Sequence, residues 1–146
     1  MTPTPTPTPS GPDIPAAART QDEKGGVEFV KFFIDQVNES YTTPRDDLIP
    51  ALSDPGCKSC AALQKIAEQY VASKSHTSAA PYKASDFRWV GEQAAGVFII
   101  TTTLKTLPVD TIDSTGKAVS TYTPASNKTR VGVTWKDGRW FIYDTA

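Results

Sequence analysis

The sequence predicts an α+β domain: two N-terminal helices and a short helical turn packed on a curved, mainly antiparallel sheet of about four to five strands. Three observations carry this. Apolar residues recur at helical spacing twice between residues 27 and 71, β-branched and aromatic residues dominate from residue 86 onward, and an Asp-Gly pair joins the last two apolar runs. Helices followed by strands is the order of an α+β domain rather than of an alternating parallel sheet.

Residues 1–18 open with Met1, four Thr-Pro repeats and the run Ser10-Gly11-Pro12-Asp13-Ile14-Pro15. The expected division is a disordered Thr/Pro-rich tether over 1–18 and a single domain over 19–146. Alternating proline favours extended polyproline II, so about fifteen such residues reach on the order of 45 Å. Neither a basic nor an apolar leader precedes the repeats. The expectation is that Met1 is an added start and that the precursor was cut just upstream, where the acylated cysteine of a lipoprotein would sit.

Thr20 with Glu23 reads as a capping box, and Val30, Phe33, Ile34, Val37 and Tyr41 then make one apolar face. Gly25 and Gly26 each weaken the first turn by about 1 kcal/mol relative to alanine, so the helix is expected to begin near Val27 and to end at Pro44. Asp46 to Leu52 allow a short helical turn interrupted by Pro50. Asp54 as N-cap with Pro55 at the first helical position opens a second long helix, its stripe formed by Cys60, Leu63, Ile66, Ala67, Tyr70 and Val71. His76 and Pro81 fall in the following loop.

Strands are expected over 86–91, 96–107, 117–123, 128–135 and 139–144 as a meander. The first half of 96–107 is apolar on both faces, as in a central, covered strand. Asp137-Gly138 signals a two-residue type I′ turn, which pairs Lys136 with Arg139, Trp135 with Trp140 and Val133 with Ile142. Both tryptophans then share one face and close one end of the core.

Composition narrows the function classes. The chain has 146 residues, 38% apolar and 21% charged, and no apolar run of about 18 residues that would cross a bilayer. A net charge of -1 without a Lys/Arg cluster argues against nucleic acid. Two cysteines and one histidine fall short of the about four ligands of a structural zinc site, so no metal or cofactor is expected. His76 reads as solvated, and the Asn38-Glu39-Ser40 and Asn127-Lys128-Thr129 sequons as incidental.

Two helices, a curved sheet and the closing Trp135-Lys136-Asp137-Gly138-Arg139-Trp140 hairpin resemble the nuclear transport factor 2-like and ketosteroid-isomerase-like cone fold. The stretch from Ala51 to Cys60, following Phe32-Phe33-Ile34, is similar to a family of uncharacterised actinobacterial lipoproteins. That resemblance spans residues 19–146 and implies export, lipid anchorage upstream of residue 1 and a domain of unknown function. It brings no catalytic residues.

In an exported protein Cys57 and Cys60 are expected to form a structural disulfide. The alternative is a thiol-disulfide redox pair, because a helix N-terminus stabilises a thiolate. A third reading, a small-molecule isomerase-like enzyme, needs a general base in an apolar pocket, for which Asp35, Asp86 and Asp144 are the carboxylates and Tyr41, Tyr70 and Tyr82 the phenols. Phe33, Tyr41, Trp89 and Phe98 are the candidate cavity lining. The favoured expectation is a non-catalytic binding or assembly module outside the cytoplasmic membrane, its partner an unidentified protein or small apolar ligand at the cell envelope and its membrane contact an upstream lipid anchor.

Overall fold

The structure, a computed structural model, describes residues 12–145, so the Thr-Pro repeats and the rest of the expected tether before Pro12 lie outside the described residues. The packed body extends upstream of residue 19. Ala16–Ala18 form a 3-10 turn, Ala18 is buried, and Ile14 packs on the core.

Helix α1 spans Glu23–Thr42. Its N-cap is Asp22, whose Oδ1 accepts from the Gly25 amide at 2.7 Å and from the Thr20 hydroxyl at 2.8 Å. Thr20 thus orients the cap rather than being it, and the helix starts four residues before Val27. The glycines are there for approach: a Cβ on Gly25 would overlap the Thr20 carbonyl oxygen, and one on Gly26 would lie 2.8 Å from the Trp89 ring. The expected face is buried at Val30, Phe33, Val37 and Tyr41, and Phe29 and Phe32 extend it.

Helix α2 spans Leu48–Leu52 and contains Pro50 without interruption, because the amide of a third helical position has no intrahelical acceptor to lose. Helix α3 spans Lys58–Ser73, with Cys57 and not Asp54 as N-cap. Asp54 is spoken for elsewhere. Its backbone N–H donates to the Ile142 carbonyl at 2.8 Å, and its carboxylate takes the Gly56 amide at 2.9 Å and the Lys136 ammonium at 2.6 Å. Those bonds hold the chain against the last strand for three further residues. Cys60 and Ala67 of α3 are buried, whereas Val71, assigned to the stripe from sequence, is 40% exposed.

Seven strands follow: β1 His76–Thr77, β2 Tyr82–Ala94, β3 Val97–Thr106, β4 Asp110–Ile112, β5 Ala118–Thr121, β6 Ala125–Lys136 and β7 Arg139–Thr145. They make an antiparallel sheet of order β2-β3-β6-β7 and a small one of order β1-β4-β5. Two expectations are corrected. His76 lies in a strand, paired with Ile112, and the run near 117–123 leaves the main sheet to form an excursion between β3 and β6. Strand β3 is central, and Ile99, Ile100, Thr101 and Thr102 are buried on alternate faces.

The closing hairpin has the expected register, Lys136 with Arg139, Trp135 with Trp140 and Val133 with Ile142. Its turn holds Asp137 at φ 52° and Gly138 at φ 79°, both left-handed as type I′ demands. Trp140 is almost fully buried. Its ring meets Trp135, Trp89 and Phe98 edge-on, and its indole N–H donates to the Thr20 carbonyl at 2.8 Å.

Candidate functional site

Between α1, α3 and the helix-facing side of the main sheet lies an open cleft of about 340 Å³. Helix α1 contributes Val30, Phe33, Ile34 and Val37 from one flank of its apolar face. Helix α3 contributes Leu63 and Ile66, half-buried and packed on the core, and β2, β3 and β6 supply the floor with Tyr82, Thr102, Leu104 and Val131. The volume lies within the range of small-molecule sites, and the lining is almost wholly apolar. Its polar groups are hydroxyls and peptides. Among the described residues no carboxylate, imidazole, ammonium or guanidinium group lines it.

One end of the cleft meets a cluster of four tyrosines. Tyr41 buries its ring and donates to the Leu63 carbonyl at 2.9 Å. The Tyr70 hydroxyl lies 2.7 Å from that of Tyr122 and 3.3 Å from that of Thr111, tying α3 to the small sheet. Tyr82 packs between Tyr41 and Tyr122. Burial raises the phenols of Tyr41, Tyr82 and Tyr122 above their ordinary value, with the neighbouring phenols adding to it. Asn38 fixes the start of β2 by bonding both the N–H and the carbonyl of Tyr82, at 3.0 and 2.9 Å, as a neighbouring strand would. At the other end, the Ser59 hydroxyl donates to the Asp144 carboxylate at 3.1 Å and accepts from the Thr145 amide at 3.1 Å.

Of the four aromatics singled out from sequence, Phe33 lines this cleft. Tyr41 stands behind Tyr82 in the tyrosine cluster, and Trp89 and Phe98 stack on each other at the far end of the core beside Trp140. The three carboxylates are scattered. Asp35, whose carboxyl is raised by burial, lies on the next face of α1 in a polar pocket with Lys31 and Lys83. Asp86 sits at a bulge of β2 with φ 54°, and Asp144 bonds Ser59. Among the described residues, none of the three lines the cleft. The aliphatic lining was not anticipated as a site: Ile34, Leu63 and Ile66 were read as members of the two helical stripes that enter the core, and in the structure they also line the cleft.

Cys57 and Cys60 form a disulfide with Cα atoms 5.2 Å apart at the start of α3. Both residues are 2% exposed, and the Cys57 sulfur accepts the Cys60 amide at 3.2 Å, so the pair doubles as the helix cap. A disulfide this covered offers little access to an attacking thiolate.

A family model described as "Family of unknown function (DUF6318)" matches residues 5–146. No curated protein matches the chain. Among solved structures, the chain is similar to the intermembrane-space region of the chloroplast protein ARC6, with a TM-score of 0.64 at 14% identity over 87% of this chain and 96% of that one. At that identity the likeness is one of fold.

Proposed function

We propose, for a chain that belongs to the DUF6318 family of unknown function, a non-catalytic binding module held outside the cytoplasmic membrane, with a cleft between α1 and α3 that takes the apolar part of a small ligand. The observation that carries this reading is the cleft itself: about 340 Å³ of open space over the core, walled mainly by aliphatic side chains and free of carboxylate, imidazole, ammonium or guanidinium groups among the described residues. The buried disulfide supports an oxidising compartment, because thiols of cytosolic proteins are kept reduced. The lipid anchor and the cone-fold kinship rest on the sequence resemblance alone, as does placement at the cell envelope.

Titration with the neutral fluorophore Nile red tests the cleft. Saturable binding to the wild-type protein is expected, weakened at least about tenfold by Leu63→Trp, which fills the space, and unchanged by Tyr143→Ala on the opposite sheet face. Urea unfolding of each variant separates lost binding from lost fold. Equal binding by the Leu63→Trp variant refutes the cleft as the site.

A further inference from the structure

The cleft's two polar ends differ from its walls in chemistry, and they constrain what the occupant carries. We infer that the ligand is a neutral single-chain amphiphile, its hydrocarbon between α1 and α3 and its uncharged hydroxyl or ester group meeting the hydroxyls at the cleft's ends; this rests on the binding reading above.

The argument is one of charge complementarity. Ser59, Thr102 and Thr129 have their hydrogens committed to Asp144, the Ser85 carbonyl and the Asn127 carbonyl and offer neutral acceptors, Tyr82 adds a phenol, and no cation among the described residues lines the space. A carboxylate or phosphate drawn into such a site loses water without gaining an ammonium or guanidinium partner, whereas a hydroxyl or ester exchanges one hydrogen bond for another. A carboxylate bonded to the lining reinforces this. Asp144 accepts from Ser59 at 3.1 Å, so its carboxylate lies directly behind that end and repels an anionic head. At the other end stand the phenols of Tyr82 and Tyr122, which burial raises above their ordinary value, and the Tyr70 hydroxyl bonded to that of Tyr122. Lys31 and Lys83 line the adjoining polar pocket, which shares Ile34 and Tyr82 with the cleft, and neither lines the cleft itself.

Displacement of bound Nile red by three twelve-carbon amphiphiles below their micelle concentrations, 1-dodecanol, dodecanoate and dodecyltrimethylammonium, tests the inference at pH 8. Dodecanol is expected to displace at a concentration at least about tenfold lower than either ion. Asp144→Asn is expected to improve dodecanoate at least twofold while leaving dodecanol unchanged, and the variant's urea midpoint reports whether the fold is intact. Equal or tighter displacement by dodecanoate or by the cation overturns the inference, as does failure of all three to displace a probe that Leu63→Trp excludes. Failure of Nile red itself to respond to Leu63→Trp refutes the underlying binding reading instead.

Discussion

Two aromatic clusters cap the two ends of the core, and they are built on opposite plans. At one end Trp89, Phe98, Trp135 and Trp140 pack edge-on or stacked, with one indole N–H bonded to the Thr20 carbonyl. At the other, the hydroxyls of Tyr41, Tyr70 and Tyr122 join the α3 backbone, Thr111 and one another, and the Tyr82 ring packs between Tyr41 and Tyr122. The tryptophan end is held by area and shape, which are non-directional and large. The tyrosine end is held by directional bonds of about 1 kcal/mol each, between elements far apart in the chain. The first should act as the anchor of the fold and the second as its adjustable margin, next to the cleft and the small sheet.

Trp140→Ala should break that contrast most severely. It removes the only fully buried tryptophan and a hydrogen bond to the segment ahead of α1, and an expected loss of about 3 to 5 kcal/mol would consume much of the stability of a domain this size. Equilibrium urea unfolding measures it. A loss below about 1 kcal/mol would mean that the tryptophan end is not the anchor.

The hairpin that carries Trp140 was the most legible part of the sequence, because a two-residue turn with two left-handed positions leaves one register, and that register alone decides which side chains meet. The α1 face was legible for the same local reason. The start of α3 was not: Asp54-Pro55 satisfies every local rule for a helix N-terminus, but Asp54 is claimed by Lys136 and the Ile142 carbonyl, more than eighty positions away. The departure of β4 and β5 from the main sheet was equally hidden, since β-propensity does not state which strands pair. Of the cleft's lining, Phe33 was named as cavity lining and Tyr82 only as a candidate phenol. A cleft lined by flanking aliphatics of two helices and three strands has no local signature.

Gly25→Ala sharpens the comparison at the tryptophan end by a change of sign. Helix propensity alone would make alanine better by about 1 kcal/mol. The structure leaves no space for a methyl group beside the Thr20 carbonyl, and pushing that residue outward moves the acceptor of the Trp140 indole. A net loss of about 1 to 3 kcal/mol is expected from overpacking. Thermal or urea unfolding showing stabilisation would place the glycine's origin elsewhere.

Tyr122→Phe should be the mildest change, and it tests the tyrosine end by pH. At neutral pH the variant loses one hydroxyl bond to Tyr70, which keeps Thr111 as a partner, so a loss of about 1 kcal/mol is expected. The alkaline limb carries the distinction. An unfolded tyrosine releases its proton near pH 10, while the buried phenol of Tyr122 holds its own to higher pH. Above about pH 10 the folded state therefore binds more protons than the unfolded state, and stability falls as pH rises. Tyr41 and Tyr82 share this sign, and phenylalanine at 122 removes one of the three contributions. The gap between wild type and Tyr122→Phe should thus narrow between pH 9 and 11, whereas the gap for Trp140→Ala, where no proton is exchanged, should stay constant over the same range. Urea midpoints measured at each pH give both curves. Parallel curves for Tyr122→Phe would show that this phenol ionises in the folded protein, which requires the small sheet to lift from α3 and expose the tyrosine end of the cleft to solvent.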